Sequence, residues 1–385
     1  MRVLQVTALL TRVDGAARFV DRSSRALSAA GHHAVVAAGD RATARSYRTV
    51  SVPELARGPH ADGAAAERVY GLASELRPDV IVLHDGVGGE DVVRALSSEF
   101  TVAAFVHVFV CAGAKHFRRL GVHCTHAVGA RCLMDWYRGP CGSHASPAIA
   151  VRSLAAARRQ LKALRGVRRI LVGSRFMLDY LAGEGLAPGK ISVVDCTCGI
   201  GQQSRRQPPN RPSSAVRLLF SGRVVYSKGP QDAVSALLHL PDRFCLTIAG
   251  EGWYLPQIRR LSAQLNLDDR VRYTGMLAED ELSREYGAAD VLVVPSLWPE
   301  PAGLVVPEAR AWGLPVVVYD SGGLAEWSER YSDIWVVQRG DVTALARTLR
   351  KAGDGSAATS PGPSTVPSFG DTLVSMAGIT NRDPL

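Results

Sequence analysis

The feature that most constrains the fold is an alternation of short apolar runs with helical patterns, which occurs in two blocks. The apolar runs lie at residues 3–8, 34–38, 80–83, 101–107, 170–172 and 191–195, and then at 216–221, 245–249, 271–274, 291–295 and 315–319. Strands that are separated by helices predict parallel sheets covered on both faces. The sequence therefore predicts an α/β protein with two domains in tandem, and a site in a cleft at the carboxyl ends of their strands.

The two blocks are separated by residues 199–215, which have no apolar period and are rich in Pro, Gln, Ser and Arg. Such a composition is typical of an interdomain linker. We therefore predict an N-terminal domain over 1–198, a linker over 199–215 and a C-terminal domain over 216–351. Residues 352–385 are of low complexity and predict a flexible tail. The apolar patch at 372–379 either docks weakly on the body or frays, and we favour fraying.

The composition is that of a globular protein, and its net charge points to an anionic partner. The formal net charge is +9, with a pI near 9.4, which suits a nucleotide, a membrane surface or nucleic acid; a proteome rich in arginine would also explain it. Nucleic acid is the weakest of these because the sequence has no zinc-finger, RNP or basic-zipper pattern. Neither a signal peptide nor a membrane-spanning run is recognisable. We therefore expect a cytoplasmic protein with mostly reduced cysteines.

Two carboxylates flank a predicted helix start in the segment 295–326, the most informative stretch of the chain. Glu300 and Glu308 lie eight positions apart, and Gly303 and Leu304 between them open the helix. A turn with Gly322 and Gly323 follows the next strand. Free backbone N–H groups at such turns bind phosphate, and carboxylates accept hydrogen bonds from paired hydroxyl groups. Phosphate and polyol together suggest a sugar nucleotide.

A second motif follows the first strand of the C-terminal block. Gly222 permits a tight turn, and Arg223 and Lys228 stand on either side of it in the sequence SGRVVYSKGP. Because this turn lies at the carboxyl end of its strand, both cations are expected to converge on the cleft. With no carboxylate between them, they are suited to a diphosphate. The alternative is a pair of solvated surface charges.

These segments, together with LTIAGEGWYLPQI and the run from VRYTGMLAED to SGGLAE, resemble the donor half of a GT-B glycosyltransferase. More narrowly, the chain is similar to the retaining glycosyltransferases of family 4, also called group 1. The resemblance is strong over residues 216–327 and weak over the N-terminal half. It implies a GT-B architecture, in which two Rossmann-like parallel α/β domains face a central cleft. Its most specific element is the pair Glu300 and Glu308.

The resemblance implies a role for each matching residue on the donor side. Glu308 would accept hydrogen bonds from the ribose hydroxyls, and Glu300 would hold hydroxyls of the donor sugar. Backbone N–H groups near Gly303 and Leu304 would bind the β-phosphate.

The remaining matches lie around the diphosphate. Arg223 and Lys228 would neutralise the diphosphate as it leaves. Glu251 matches an acidic position of the cleft, to which we assign no role, and Gly322 and Gly323 match a diglycine element. The family is thought to use front-face attack, in which the leaving phosphate deprotonates the acceptor. This implies a nucleotide-diphosphate sugar as donor substrate, no required cofactor and no metal.

On the same resemblance, the N-terminal half would bind the acceptor. Gly15 matches a position where relatives carry a glycine pair, but the second glycine is replaced by Ala16. His107 ends a strand where relatives often have His-Asp, and here Val108 follows it. His84 ends the preceding strand and is a second candidate. The acceptor would be a natural product, a glycan or a lipid-linked saccharide.

Four cysteines fall within one segment that has no regular ligand spacing, namely Cys111, Cys124, Cys132 and Cys141. Zinc ligands usually come in pairs two to four residues apart, so we favour buried thiols over a structural zinc clip or disulfides.

The segment 155–169 is a basic helix candidate with an apolar stripe at Leu154, Leu161 and Leu164. Such a helix either is a solvated flank, which we prefer, or rests weakly on the inner membrane face.

Two other functions stay open from the sequence. One is a sugar-nucleotide epimerase or a phosphorylase on the same fold, and the other is a non-catalytic protein that binds a nucleotide sugar. Departures from the family pattern at Ala16, Val108 and Gly201 give the second alternative its motive.

Overall fold

The computed structural model describes residues 1–11, 15–40, 45–60, 63–85, 89–113, 124–138, 141, 146–201, 215–355 and 366–378. Contacts within the chain divide it into two compact units. The N-terminal unit contains Met1–Gly199 and, from the other end of the chain, Thr365–Leu385, while the C-terminal unit is Ile200–Ser364. Each unit is built on a parallel sheet.

The N-terminal unit has seven parallel strands among its described residues. They are β1 (Arg2–Thr7), β2 (His33–Ala38), β3 (Arg48–Ser51), β4 (Val80–His84), β5 (Val102–Phe105), β6 (Arg169–Val172) and β7 (Ile191–Val193). Their order is β3-β2-β1-β4-β5-β6-β7. The order reverses between β1 and β4, and ligands of doubly wound sheets bind at such a reversal, beyond the carboxyl ends of the strands.

Helices connect these strands. They are α1 (Gly15–Ala29), α2 (Gly63–Leu76), α3 (Gly89–Ser97), α4 (Arg131–Tyr137), α5 (Pro147–Gly166) and α6 (Arg175–Gly183). Ser174 is the N-cap of α6, because its side chain accepts a hydrogen bond from the backbone N–H of Met177. In α5, the predicted stripe of Leu154, Leu161 and Leu164 is buried, so it faces the protein core.

The C-terminal unit repeats the same winding with six strands in its described part. They are β8 (Val216–Ser221), β9 (Phe244–Ala249), β10 (Val271–Gly275), β11 (Val291–Val294), β12 (Val316–Tyr319) and β13 (Ile334–Val337), in the order β10-β9-β8-β11-β12-β13. The helices are α7 (Pro230–Ala236), α8 (Leu255–Gln264), α9 (Glu279–Ala288), α10 (Val305–Ala311) and α11 (Val342–Gly353). The order reverses between β8 and β11.

Fully buried central strands explain why most of the sheet was predictable. All residues of β4, β11 and β12 are buried, and a strand covered on both faces has a continuous apolar sequence. The two strands that the sequence did not predict, β3 and β13, lie at sheet edges and are four residues long.

The prediction of a flexible tail over 352–385 is wrong for the described residues of that range. The helix α11 continues to Gly353, and α12 (Phe369–Met376) belongs to the N-terminal unit. Phe369 is 1% exposed and its ring lies 5.2 Å from that of Phe19 in α1. The backbone of Asp195 donates a hydrogen bond to the carbonyl of Pro367 at 2.8 Å. The segment that contains the apolar patch thus packs against the N-terminal unit.

Among the described residues, no helix combines the length and the apolar character that are needed to cross a bilayer.

We predict that Phe369→Ala destabilises the N-terminal unit by about 3–5 kcal/mol, the usual cost of deleting a buried aromatic ring. The measurement is chemical unfolding followed by circular dichroism. Ser375→Ala, at an exposed position of the same helix, is the matched control and should leave the midpoint unchanged. Equal midpoints for both variants would show that α12 contributes no stability.

Candidate functional site

The loops after β8 and β11 meet where the strand order of the C-terminal sheet reverses. The first loop contains Gly222, Arg223 and a short 3₁₀ turn, Tyr226–Lys228. The carbonyl oxygen of Ser227 in this turn accepts hydrogen bonds from the backbone N–H groups of Leu297 and Trp298, at 2.9 and 2.8 Å. The two predicted motifs, which lie far apart in the sequence, are therefore joined through their backbones.

A glycine is required where the two loops are closest. Gly229 has a φ of +72°, and a Cβ atom there would lie 1.8 Å from the carbonyl oxygen of Pro295. Any side chain would therefore push the loops apart, so the lysine turn can lie against the loop after β11 only with glycine here.

The side chains of the two motifs are joined by an ion pair between the Lys228 ammonium and Glu300 Oε1. The pair is largely buried, because the side chains are 20% and 9% exposed. The ammonium also lies 4.8 Å from the centre of the Trp298 ring, within range of a cation–π contact. The sequence has no carboxylate between Arg223 and Lys228, but the fold brings Glu300 to Lys228 from a distant part of the chain.

Glu300 is also fixed by the diglycine turn after β12. Its N–H donates to the carbonyl of Ser321 at 3.2 Å, and its own carbonyl accepts from the N–H of Gly323 at 2.7 Å. Gly322 has a φ of +66°, and a Cβ there would lie 2.5 Å from the Glu300 carbonyl oxygen. Glycine at this position therefore allows the turn to hold the carboxylate in place.

The second carboxylate, Glu308, lies in the first turn of α10, which begins two residues later than the predicted start at Gly303. Leu304 directly precedes the helix and serves as its N-cap residue. The indole N–H of Trp327 donates to the carbonyl of Ala302 at 2.7 Å and holds this turn. Glu308 is half-buried, and the Tyr286 hydroxyl donates to its Oε2 at 3.4 Å.

The turn after β8 leaves space for a ligand. A Cβ placed on Gly222 would meet no atom of the described chain within 4 Å. Arg223 beside it is exposed, and its guanidinium forms no ion pair or hydrogen bond with any described residue. The N–H of Val224 donates to the carbonyl of Glu251 at 2.8 Å, so the exposed Glu251 belongs to the adjoining turn. This turn also carries Trp253, which is 65% exposed and which the sequence analysis did not single out.

In the N-terminal unit, the structure brings the two histidine candidates together. Nδ1 of His84, at the end of β4, lies 2.9 Å from Nε2 of His107, and the other nitrogen of His84 lies 2.9 Å from Oε1 of Gln5. Burial lowers the pKa of His84 to about 3. Burial and the neighbouring His84 lower the pKa of His107 well below its usual value. Both rings are therefore neutral at physiological pH.

Gln5 is a residue of this group that the sequence analysis missed, and Asp85 follows the candidate His84 directly. Gln5 is the polar residue in the apolar strand β1, and that break in the apolar pattern is the signal that could have identified it. The Asp85 carboxylate accepts a hydrogen bond from the backbone N–H of His107 at 2.9 Å. Val108 and not an aspartate follows His107, but a carboxylate from the neighbouring strand end reaches the backbone of His107.

Gly15 and Ala16 lie in the first turn of α1, after the carboxyl end of β1. Residues 12–14, which precede α1, lie outside the described residues.

The cysteines of the segment 111–141 form no disulfide, and Cys132 is buried. The disulfide alternative is therefore not supported. Burial, with the nearby thiols Cys111, Cys124 and Cys132, raises the pKa of Cys141 to about 11. Within the described part of the chain, no three Cys, His, Asp or Glu side chains form a group that could hold a metal ion. The segment's His116 and His123 lie outside that part.

Comparison with known proteins finds similarity in the C-terminal unit. Residues 201–357 match the family described as glycosyl transferases group 1. This part of the chain is therefore similar to the group 1 glycosyltransferases. The 2-deoxystreptamine glucosyltransferase of Streptomyces kanamyceticus is 34% identical over 138 residues, which are 35% of this chain and 35% of the relative. The chain therefore matches only about a third of that relative's length.

Solved structures resemble the whole chain in fold. The Anabaena protein HepE, solved with UDP and glucose, has a TM-score of 0.60 at 16% identity, with 91% of this chain and 89% of that chain covered. The sucrose-phosphate synthase of Thermosynechococcus elongatus has a TM-score of 0.64 at 18% identity, with 98% of each chain covered. At such identities the likeness concerns the fold alone. The predicted GT-B fold, with two parallel α/β domains, is confirmed.

We predict that the Lys228–Glu300 pair contributes to the stability of the C-terminal unit. In a double-mutant cycle with Lys228→Met and Glu300→Gln, we expect a coupling energy of roughly 0.5–3 kcal/mol, as for side chains in direct contact. Chemical unfolding of the four proteins provides the measurement.

The control cycle uses Arg94 and Asp91, an ion pair whose side chains are 71% and 49% exposed. Exposed pairs contribute little, so the coupling there should be close to zero. The same coupling for both pairs would contradict a special role for Lys228 and Glu300.

Proposed function

We propose that the protein is a retaining glycosyltransferase that moves a sugar from a nucleotide-diphosphate sugar to a hydroxyl group of an acceptor. The observation that carries this proposal is the ion pair between Lys228 and Glu300, which lies where the strand order of the C-terminal sheet reverses. The loop that contains Lys228 also contains the open turn at Gly222 and the exposed Arg223. A phosphate-binding cation and a hydroxyl-binding carboxylate at one such point suit a sugar nucleotide.

The ion pair does not prevent Lys228 from binding a diphosphate. An ammonium has three N–H donors, and the structure uses one of them for Glu300. The pair is electrically neutral, so Arg223 supplies the uncompensated positive charge that a leaving diphosphate needs. We propose that Lys228 donates to the diphosphate while it remains bonded to Glu300.

On this proposal, Glu300 links the leaving group to the sugar. Its Oε1 is engaged by Lys228, and a carboxylate oxygen has further lone pairs for sugar hydroxyls. Glu308 accepts hydrogen bonds from the ribose, with the N–H groups near Gly303 and Leu304 on the β-phosphate. Glu251 borders the donor site, and the turn of Gly322 and Gly323 fixes Glu300.

We propose that transfer proceeds by front-face attack, with the departing phosphate as the base. Stabilising charge on the leaving group lowers the barrier for an oxocarbenium-like sugar. His107 contributes a hydrogen-bond acceptor, as its neutral ring cannot act as an acid. Neither a metal nor another cofactor is part of the proposal.

We propose the donor and the acceptor as chemical classes and not as single compounds. HepE was solved with UDP and glucose, so UDP-sugars are the first donors to test, followed by GDP-sugars. The acceptor would bind to the N-terminal unit, and Gly15, Ala16, His84 and His107 mark the expected region. A small natural product, a glycan or a lipid-linked saccharide fits this class, and we propose a cytoplasmic location. Contact with the membrane is no longer part of the proposal, because the apolar stripe of α5 is buried. The comparisons do not favour an epimerase, a phosphorylase or a non-catalytic binding protein.

The proposal is tested by incubating the purified protein with UDP-, GDP-, ADP- and dTDP-sugars and a panel of hydroxyl acceptors. We expect release of nucleoside diphosphate together with a glycoside of the same anomeric configuration as the donor, determined by NMR. An inverted anomer would refute the retaining mechanism. Binding without transfer or hydrolysis would favour the non-catalytic alternative.

The role of Lys228 is tested in the same assay with the variant Lys228→Ala, for which we expect a lower rate of sugar transfer. Loss of one preorganised donor to developing negative charge lowers the rate by about 10²–10³-fold, and we expect a loss of that order. Lys351→Ala, an exposed lysine near the end of α11, should transfer at the wild-type rate. Near wild-type transfer by Lys228→Ala would remove Lys228 from the mechanism.

A further inference from the structure

A chain of hydrogen bonds connects the interior of the N-terminal unit with His107. Gln5 Nε2 donates to the Ser24 hydroxyl at 2.6 Å, and Gln5 Oε1 lies 2.9 Å from His84 Nε2. Nδ1 of His84 then lies 2.9 Å from Nε2 of His107. Gln5, Ser24 and His84 are buried polar residues, so each of their hydrogen bonds replaces lost hydration.

The chemistry of Gln5 fixes the direction of this chain. An amide oxygen only accepts, so His84 Nε2 must carry a proton. A neutral imidazole has one protonated nitrogen, so His84 Nδ1 has none and accepts from His107 Nε2. His107 Nδ1 is therefore the unprotonated nitrogen, with a lone pair. Within the described part of the chain, no hydrogen-bond donor is bonded to this atom.

The ring of His107 is also held in its orientation. It stacks on Phe105 with centroids 4.2 Å apart and packs edge-on against Phe19 at 5.2 Å. Its backbone N–H is bonded to Asp85. Exchange of the two ring nitrogens would require a ring flip within this packing. The packing therefore favours one orientation of the His107 ring.

We infer that Gln5 and His84 are positioning residues, which fix the tautomer of His107 so that its Nδ1 accepts a hydrogen bond from a substrate hydroxyl. The final step rests on the proposed function, whereas the tautomer does not. Buried hydrogen-bond partners that set a histidine tautomer are a general means of selecting which nitrogen acts on a ligand.

The tautomer is tested on the ligand-free protein, labelled with ¹⁵N-histidine, by long-range ¹H–¹⁵N correlation spectra at pH 7. His84→Gln and His107→Gln identify the signals among the ten histidines. We expect a protonated Nε2 and an unprotonated Nδ1 for both residues. A protonated Nδ1 in His107, as a reversed Gln5 amide would produce, overturns the inference.

The role of Gln5 is tested with Gln5→Met, which keeps the length of the side chain but removes the amide oxygen. We expect His107 to lose its single tautomer in the spectrum and kcat/KM for transfer to fall about tenfold, as for one lost hydrogen bond. Tyr47→Phe is the control, because it removes another buried hydrogen bond of this unit, to Asp21 at 2.6 Å. It should change neither quantity.

The outcomes separate the inference from the proposed function. An unchanged His107 tautomer in Gln5→Met overturns the positioning role even if transfer is observed. The expected tautomers in a protein that transfers no sugar would overturn the substrate contact and the proposed function, and would leave the tautomer assignment standing. Because the tautomer is read from the wild-type spectrum once its signals are assigned, a Gln5→Met variant that fails to fold does not prevent that test.

Discussion

The architecture of the C-terminal site depends on the ion pair between Lys228 and Glu300. It connects the loop after β8 with the loop after β11, and backbone hydrogen bonds of Glu300 extend the connection to the turn after β12. A buried pair of this kind is costly to break, because the remaining charge would have no partner. The close approach at Gly229 keeps the loops near enough for the pair to form. A site assembled in this way is preorganised, and a ligand need not bring the loops together.

In the N-terminal unit, the buried polar side chains that lead to His107 are neutral and not charged. There, a neutral polar chain from Gln5 through His84 to His107 runs through an apolar interior, and burial keeps both rings uncharged. Aromatic side chains surround the chain, including Phe369 from α12. The C-terminal helix therefore supports the packing around His107. One unit thus has an ion pair at the carboxyl ends of its strands, and the other has a pair of neutral histidines at the carboxyl ends of its own strands.

Most of the sheet could be predicted because parallel strands buried on both faces are continuously apolar, as β11 and β12 show. The glycine turns and carboxylates of the C-terminal unit were found as motifs, and the fold brings Lys228, Glu300 and Gly322 together. The partner of Lys228 was missed, since a pairing across 72 positions leaves no local pattern. The docking of α12 was missed for the same reason, because its apolar face finds its partner at the opposite end of the chain. Gln5 was overlooked although its polarity within β1 was visible.

The claim that the turn after β8 and the segment after β11 together bind the donor is tested most directly by hydrogen–deuterium exchange with and without a nucleotide sugar that binds. The account predicts slower exchange of backbone amides in residues 222–229 and 300–304, with unchanged exchange at Asp268–Arg270, at the amino ends of the strands. Binding that leaves both loops unprotected, or that slows exchange only elsewhere, would contradict it.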